Sequence, residues 1–277
     1  LGHALAAHIM GSLANHAGPW RLDVFAPDGP GAAVKPGRCR LVDDAAMEVL
    51  RKKQRRLLRT RAPSARAFDA QEAVVQVFLV EPGRGWMGTA LPAERHRLRR
   101  ILAPAAGGVV DVPDDRAPPS RAFKKLVEAL WLSGLSFSGG DRVVDLGACP
   151  GGWTHVAAAA GATVTAVDRS PLAPALMKHP RVTYVEGDAF SWKPGAPVDW
   201  LICDVIAFPQ RTQELLKTWL GERLCRRFCV TIKFRGDEHY PVLQDIKAFL
   251  RDARAEFILR QLVHNKNECT AVGELPP

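Results

Sequence analysis

Asp145-Leu146-Gly147-Ala148-Cys149-Pro150-Gly151-Gly152-Trp153 is the stretch on which the fold turns. The strand-like run Arg142-Val143-Val144 leads into an acid, then a glycine turn, then a Pro-Gly-Gly that opens a helical stretch reaching Ala160. That is the pattern of the first β-turn-α unit of a nucleotide-type α/β sheet. Its glycines let the backbone approach a ligand closely, and the helix N-terminus presents N–H groups. The spacing is not the Gly-x-Gly-x-x-Gly of dinucleotide binders. A proline inside the turn stiffens it, which suits a compact ligand better than a pyrophosphate.

Working outward, apolar runs predict strands at 142–147, 163–167, 182–186, 199–204, 228–233, 256–263 and 268–273. Helical stretches lie between most of them, so a mostly parallel sheet covered on both faces is expected. The last two runs have little between them and read as an antiparallel hairpin at the sheet edge. Three acids sit at strand C-terminal ends. Asp168 closes the second strand, 23 residues after Asp145, where an acid accepts hydrogen bonds from ribose hydroxyls. Asp188 follows the third strand, where a carboxylate or a neighbouring amide can meet an adenine amino group, and Asp204 ends the fourth. Any one of these alone is more often a cap or turn aspartate. All three in order after the glycine loop point to a nucleoside ligand in the crevice outside the strand ends. Lys233 closes the fifth apolar strand, an unusual place for a lysine without a partner. Lys125 lies in the helix before the first strand, where a solvated helix face is the ordinary explanation. Glu268 opens the last strand, where an edge-strand charge is.

The chain has 277 residues, 47% hydrophobic and 24% charged, enough for one large or two ordinary globular domains. No 18-residue apolar run is present, and the first residues lack the basic and apolar regions of a signal peptide. The chain starts at Leu1 rather than Met, so a preceding segment is expected. Six cysteines, at positions 39, 149, 203, 225, 229 and 269, form no Cys-x-x-Cys pair; free thiols of a reducing cytoplasm are expected, and no metal site. The net charge of +9 is uneven: residues 1–105 hold 17 Lys+Arg against 9 Asp+Glu, a surplus of 8, and the remainder 21 against 20. Such a surplus attracts a polyanion such as RNA, though a solvated basic face accounts for it as well.

The basic N-terminal part reads as a small α+β module over 1–105. It has a helix over 1–17, a strand over 21–25, a loop over 26–36 and a helix over 43–61. That last helix carries Arg51-Lys52-Lys53-Gln54-Arg55-Arg56, Arg59 and Arg61. A hairpin of 74–80 with 86–91 turns around 81–85, and Arg95, His96, Arg97, Arg99 and Arg100 form a second basic cluster. A linker follows over 106–119, then the α/β domain over 120–277.

At this point a family resemblance becomes specific. Lys125, Asp204, Lys233 and Glu268 resemble the Lys-Asp-Lys-Glu tetrad of the FtsJ-like ribose 2′-O-methyltransferases, most closely the bacterial large-subunit ribosomal RNA methyltransferase M family. The likeness rests on Ser120-Arg121 with Lys125-Leu126, on 145–153, on Cys203-Asp204 with Pro209, on Ile232-Lys233, and on His264 with Glu268. It covers about 120–273 and extends loosely to the basic module, which resembles that family's THUMP-like RNA-binding domain. The chain departs from the family at Ala122, where a small hydroxyl residue is usual, and in mostly lacking the family's extra N-terminal domain.

The resemblance implies a Rossmann-like, seven-stranded methyltransferase domain that binds S-adenosyl-L-methionine. The cofactor residues would be Asp145, Gly147, Cys149, Pro150, Gly151, Gly152, Trp153, Asp168, Asp188 and Asp204. Lys125, Asp204, Lys233 and Glu268 would be catalytic, with no metal. Lys233 would accept or steer the ribose hydroxyl proton, and Asp204 and Glu268 would hold the two amines. The expected substrate is a cytidine of large-subunit ribosomal RNA, the expected location cytoplasmic, the expected state a monomer. Three alternatives stand beside it. A base-nitrogen methyltransferase would carry an aromatic clamp where this chain has Asp204-Val205-Ile206-Ala207-Phe208-Pro209. A non-catalytic RNA-binding protein on the same fold has no use for an intact tetrad. An NAD-dependent oxidoreductase conflicts with the glycine spacing.

Overall fold

The computed structural model describes residues 1–27, 32–62, 71–92, 110, 112–236 and 240–277. The second basic cluster and most of the 106–111 segment fall outside these. The chain divides into two compact units, Leu1–Val110 and Asp111–Pro277.

The first unit holds α1 (Gly2–Ser12), β1 (Trp20–Phe25), α2 (Pro36–Lys53), α3 (Arg55–Arg59), β2 (Ala73–Glu81) and β3 (Arg84–Ala90). β1 pairs parallel with β2, and β2 antiparallel with β3. One sheet face packs Leu22, Val75, Val77 and Leu79 against Leu5, Ile9 and Leu13 from the α1 segment and Val42, Ala46 and Leu50 of α2. Gly2 lets the two helices touch: a Cβ there would overlap Ala45. The Trp20 indole is fully buried, and its Nε1 donates to the Leu57 carbonyl at 2.6 Å.

Two sequence expectations need correction here. The helix expected from 43 begins at Pro36, because proline fits the first helical turn, where its missing N–H costs nothing. It also breaks at Gln54 (φ −154°), which divides the basic run between α2 and α3. The hairpin turn is tighter than expected, since Glu81 already pairs with Arg84 across Pro82-Gly83.

The second unit holds α4 (Phe123–Ser133), β4 (Arg142–Leu146), α5 (Gly152–Ala159), β5 (Thr163–Asp168), α6 (Pro174–Met177), β6 (Val182–Glu186) and β7 (Val198–Cys203). It continues with α7 (Pro209–Gly221), β8 (Cys225–Lys233), α8 (Val242–Asp252), β9 (Glu256–Arg260) and β10 (Glu268–Glu274). The sheet runs β6-β5-β4-β7-β8-β10-β9, parallel from β6 to β8. This is a mixed α/β sheet whose order reverses beside β4, the place where such sheets bind ligands. The last two strands pair antiparallel at the sheet edge, as expected, with β10 lying between β8 and the outermost β9. β9 also ends at Arg260, three residues short of the expected boundary. The insertion sets Glu268 directly opposite Lys233 in the β8–β10 register. The core between β7, β8 and the α7 and α8 helices is filled by Leu201, Leu216, Trp219, Phe228, Val230, Ile246 and Leu250.

Candidate active site

β4 delivers Asp145 to the end of the sheet, and the chain then turns at Gly147 (φ +74°) and Gly151 (φ +109°) into α5. These conformations and the crowding around them demand glycine. A Cβ on Gly147 would come within 2.8 Å of the Val205 Cβ, and Cβ atoms on Gly151 and Gly152 would overlap Leu176 and Ser120. The Cys149–Pro150 peptide is cis. Three amides at the start of the turn are engaged. Those of Gly147 and Ala148 donate to the Val167 carbonyl at 2.9 and 3.3 Å, and that of Cys149 donates to Asp168 Oδ2 at 2.9 Å.

Asp145 is 1% exposed, and Thr154 Oγ1 donates to its Oδ2 at 2.6 Å. Burial pushes its carboxyl up to about 7, opposed by the Thr154 bond and reinforced by the charges of Asp204 and Asp168. Asp168 also accepts from the Ser170 amide through Oδ1 at 2.9 Å. Asp188 accepts from the Phe190 amide at 3.0 Å and from Arg169 at 2.8 Å. The amide bond first, then Arg169, holds its carboxyl below the usual range. Trp153 is buried, and its Nε1 donates to the Ala122 carbonyl at 2.8 Å. Its indole thus ties the glycine loop to the start of α4. Cys149 is exposed and its thiol meets the Pro171 carbonyl, whereas burial pushes the Cys203 and Cys225 thiols up to about 12.

The four tetrad residues come from four elements and meet. Lys125 Nζ lies 2.7 and 2.6 Å from the two carboxylate oxygens of Asp204 and 3.1 Å from Glu268 Oε1. Lys233 Nζ donates to the Asp204 carbonyl at 2.8 Å and lies 3.1 Å from Asp204 Oδ1 and 3.9 Å from Glu268 Oε2. Side-chain exposures of 9% for Lys125, 15% for Asp204, 10% for Glu268 and 21% for Lys233 make Lys233 the most open of the four. Two cations and two anions interleave, so each buried charge is compensated.

Sequence reading missed Glu128, one turn beyond Lys125 and 1% exposed. Its carboxylate accepts the amides of Val263 and His264 at 2.8 and 3.1 Å, fixing the segment that leads into β10. An acid three places from a catalytic-pattern lysine was the available signal, indistinguishable in sequence from a solvated pair. Also unforeseen is Arg211, whose guanidinium lies 4.0 Å from the Phe190 ring beside Asp188. Among the described residues no group of His, Cys, Asp or Glu is arranged to hold a metal, and no helix is long and apolar enough to cross a membrane.

Residues 118–238 match the model of the FtsJ-like methyltransferase family. The match lies wholly within the second unit. The chain is 38% identical over 178 residues to ribosomal RNA large subunit methyltransferase M of Pseudomonas putida strain GB-1, covering 59% of this chain and 49% of that protein. It is 37% identical over 176 residues to the protein of the same name from Azotobacter vinelandii, covering 59% and 50%. The chain thus spans about half the length of the curated relatives it matches. The solved Methanococcus jannaschii fibrillarin pre-rRNA processing protein superposes with a TM-score of 0.42 at 18% identity, over 56% of this chain and 76% of its own.

Proposed function

We propose that this chain is an S-adenosyl-L-methionine-dependent RNA ribose 2′-O-methyltransferase acting on a cytidine of large-subunit ribosomal RNA. The observation that carries the reading is the interleaved Lys125–Asp204–Lys233–Glu268 cluster at the open end of β7 and β8. The cofactor fits the donor set. Asp168 and Asp204 lie close enough to Asp145 to help raise its carboxyl, so a cationic ligand suits this acidic crevice. Asp168 keeps acceptor capacity for ribose hydroxyls beyond its two amide bonds, and Asp188 with the Phe190 segment would meet the adenine. Bound, the cofactor supplies an electrophilic methyl on a sulfonium sulfur.

The chain's own residues do the rest. A ribose hydroxyl is a poor nucleophile that must be aligned and relieved of its proton. Lys233, the most open of the four, first gives up a proton to solvent; its neutral amine then orients the hydroxyl oxygen and receives the hydroxyl proton as the methyl passes from sulfur to oxygen. Asp204 and Glu268 fix the Lys233 amine, and Lys125 keeps those two carboxylates from repelling each other. Alignment supplies most of the acceleration, and proton transfer about 10²- to 10⁴-fold. The first unit, with its basic surplus, is the RNA-gripping module of THUMP-like type over 1–105, joined through 106–119 to the catalytic domain over 120–277. The sheet of the latter is the seven-stranded one of this enzyme class. A cytoplasmic monomer completes the reading.

The test is methyl transfer from labelled S-adenosylmethionine to unmodified large-subunit ribosomal RNA, followed by alkaline hydrolysis and mapping. An alkali-resistant linkage at one cytidine is the expected result. Label on a base, or no label with intact cofactor binding, would overturn it.

A further inference from the structure

Beyond the tetrad, the two strands that supply Asp204 and Lys233 continue into a cluster of exposed side chains with no part in the chemistry described. Two residues after Asp204, Ile206 is 84% exposed, and four after it Phe208 is 48% exposed, just ahead of Pro209 in the first turn of α7. Two residues after Lys233, the exposed Arg235 sets its guanidinium 4.6 Å from the centre of the Phe208 ring. Phe234 behind it is buried and packs edge-on against Tyr240, with ring centres 5.0 Å apart. The Tyr240 hydroxyl meets Asn267 Oδ1 at 3.0 Å, on the chain leading to Glu268. The aromatic surface is therefore anchored to the same strand ends as the tetrad.

The sheet order sorts the ligands. Of the acids assigned above to the cofactor, Asp145, Asp168 and Asp188 leave β4, β5 and β6, on one side of the tetrad, and Asp204 is shared with the tetrad itself. Phe208 and Arg235 leave β7 and β8 and lie on the acceptor's side. We propose that Phe208 and Arg235, flanked by Ile206, form the platform on which the nucleobase of the acceptor nucleotide stacks while its ribose hydroxyl rests at Lys233. The inference depends on the functional reading above. A π face and a planar guanidinium suit a nucleobase, and adjoining exposed apolar side chains at the mouth of a site suit a ligand that covers them. Stacking of this kind tolerates any base, so the platform holds the nucleotide and does not choose it. Phe208 and Arg235 are positioning residues.

The experiment compares wild type with Phe208→Leu, Phe208→Tyr, Arg235→Gln and Arg235→Lys on in-vitro transcribed large-subunit ribosomal RNA. S-adenosylhomocysteine affinity and melting temperature serve as folding controls. Phe208→Leu is expected to lower kcat/KM for RNA about ten- to a hundredfold, the scale of losing one base–aromatic stack. Cofactor affinity should be unchanged, and Phe208→Tyr should retain most of the activity. Arg235→Lys should fail like Arg235→Gln, because an ammonium keeps the charge and loses the plane. Wild-type kcat/KM in Phe208→Leu would overturn the platform, as would full rescue by Arg235→Lys, which would reassign that residue to phosphate attraction. A wild-type protein that transfers no methyl to RNA would instead overturn the functional reading.

Discussion

Lys125 is 9% exposed between two carboxylates, whereas Lys233 is 21% exposed and rests on the Asp204 carbonyl as much as on any charge. The two lysines should therefore fail differently. Lys125→Ala leaves the buried Asp204 and Glu268 with only the more open and, at Glu268, more distant Lys233, a loss of up to about 3–5 kcal/mol. It is expected to lower the melting temperature markedly and to abolish transfer. Lys233→Ala should melt near wild type, bind S-adenosylhomocysteine normally and lose at least ~10²-fold in methyl transfer, with no rescue by Lys233→Arg. Calorimetry beside a transfer assay separates the two, and a Lys233→Ala protein with wild-type rate would remove that residue from the chemistry. Asp145 makes a second prediction. Its carboxyl is raised from 3.8 to about 7 by burial, so its contribution to stability is fully present below about pH 4 and is lost as pH rises through 7. Asp145→Asn keeps the Thr154 bond and removes the titration. The variant should gain on wild type in melting temperature between pH 5 and pH 8, by an amount corresponding to at most ~4 kcal/mol. A difference that stays flat with pH would assign the titration elsewhere.

α4 shows how an element of ordinary appearance carries the site. Lys125 reaches into the tetrad while Glu128, one turn on, accepts two amides at 262–265, where Asn265 in turn donates to the Glu268 carbonyl and Thr270 Oγ1. Glu128→Gln keeps one acceptor and turns an amide NH₂ toward the other N–H. That should cost about 1–3 kcal/mol and speed amide hydrogen exchange at Val263 and His264, with transfer falling as Glu268 loosens. Unchanged exchange there would show that the segment is held by something else. The same helix marks the limit of the sequence. The β-turn-α signature and the run of acids were legible because glycine spacing and strand-end position are local properties. The tetrad members were legible as residues, through lysines placed oddly in apolar runs and through resemblance. Their meeting was legible only through that resemblance, because in the bare sequence it depends on β10 entering between β8 and β9, and an antiparallel insertion leaves no periodic trace. Glu128 was hidden for the same reason: its partners lie 135 and 136 residues away. The early start of α2 was hidden by Pro36-Gly37, which locally reads as a loop.

Across the whole molecule the charge surplus sits in residues 1–105, yet the structure shows that these cations are not equivalent. Arg61 is half-buried in a bidentate pair with Asp43 at 2.9 and 2.7 Å, and Arg21 is buried against Glu72. Arg56 donates to the Ala14 carbonyl and Arg38 to the Pro82 carbonyl. These residues hold the unit together. Arg51, Lys52 and Lys53 instead crowd the last turn of α2, where the helix dipole favours cations, and among the described residues Lys52 makes an exposed pair with Glu48. Arg55 touches only the Arg51 carbonyl among its described contacts. RNA affinity should therefore fall steeply with salt. Changing Arg51, Lys52, Lys53 and Arg55 together to Gln should flatten the log–log salt slope by up to ~3, at ~0.7 per phosphate contact on single strands. Melting temperature and S-adenosylhomocysteine affinity should stay put, because none of the four supports the core or the crevice. Arg61→Gln is the contrasting control, expected to cost stability with little change in the slope. A quadruple variant that binds RNA with the wild-type slope would reduce the run to a solvated helix end and move the RNA contact elsewhere on the chain.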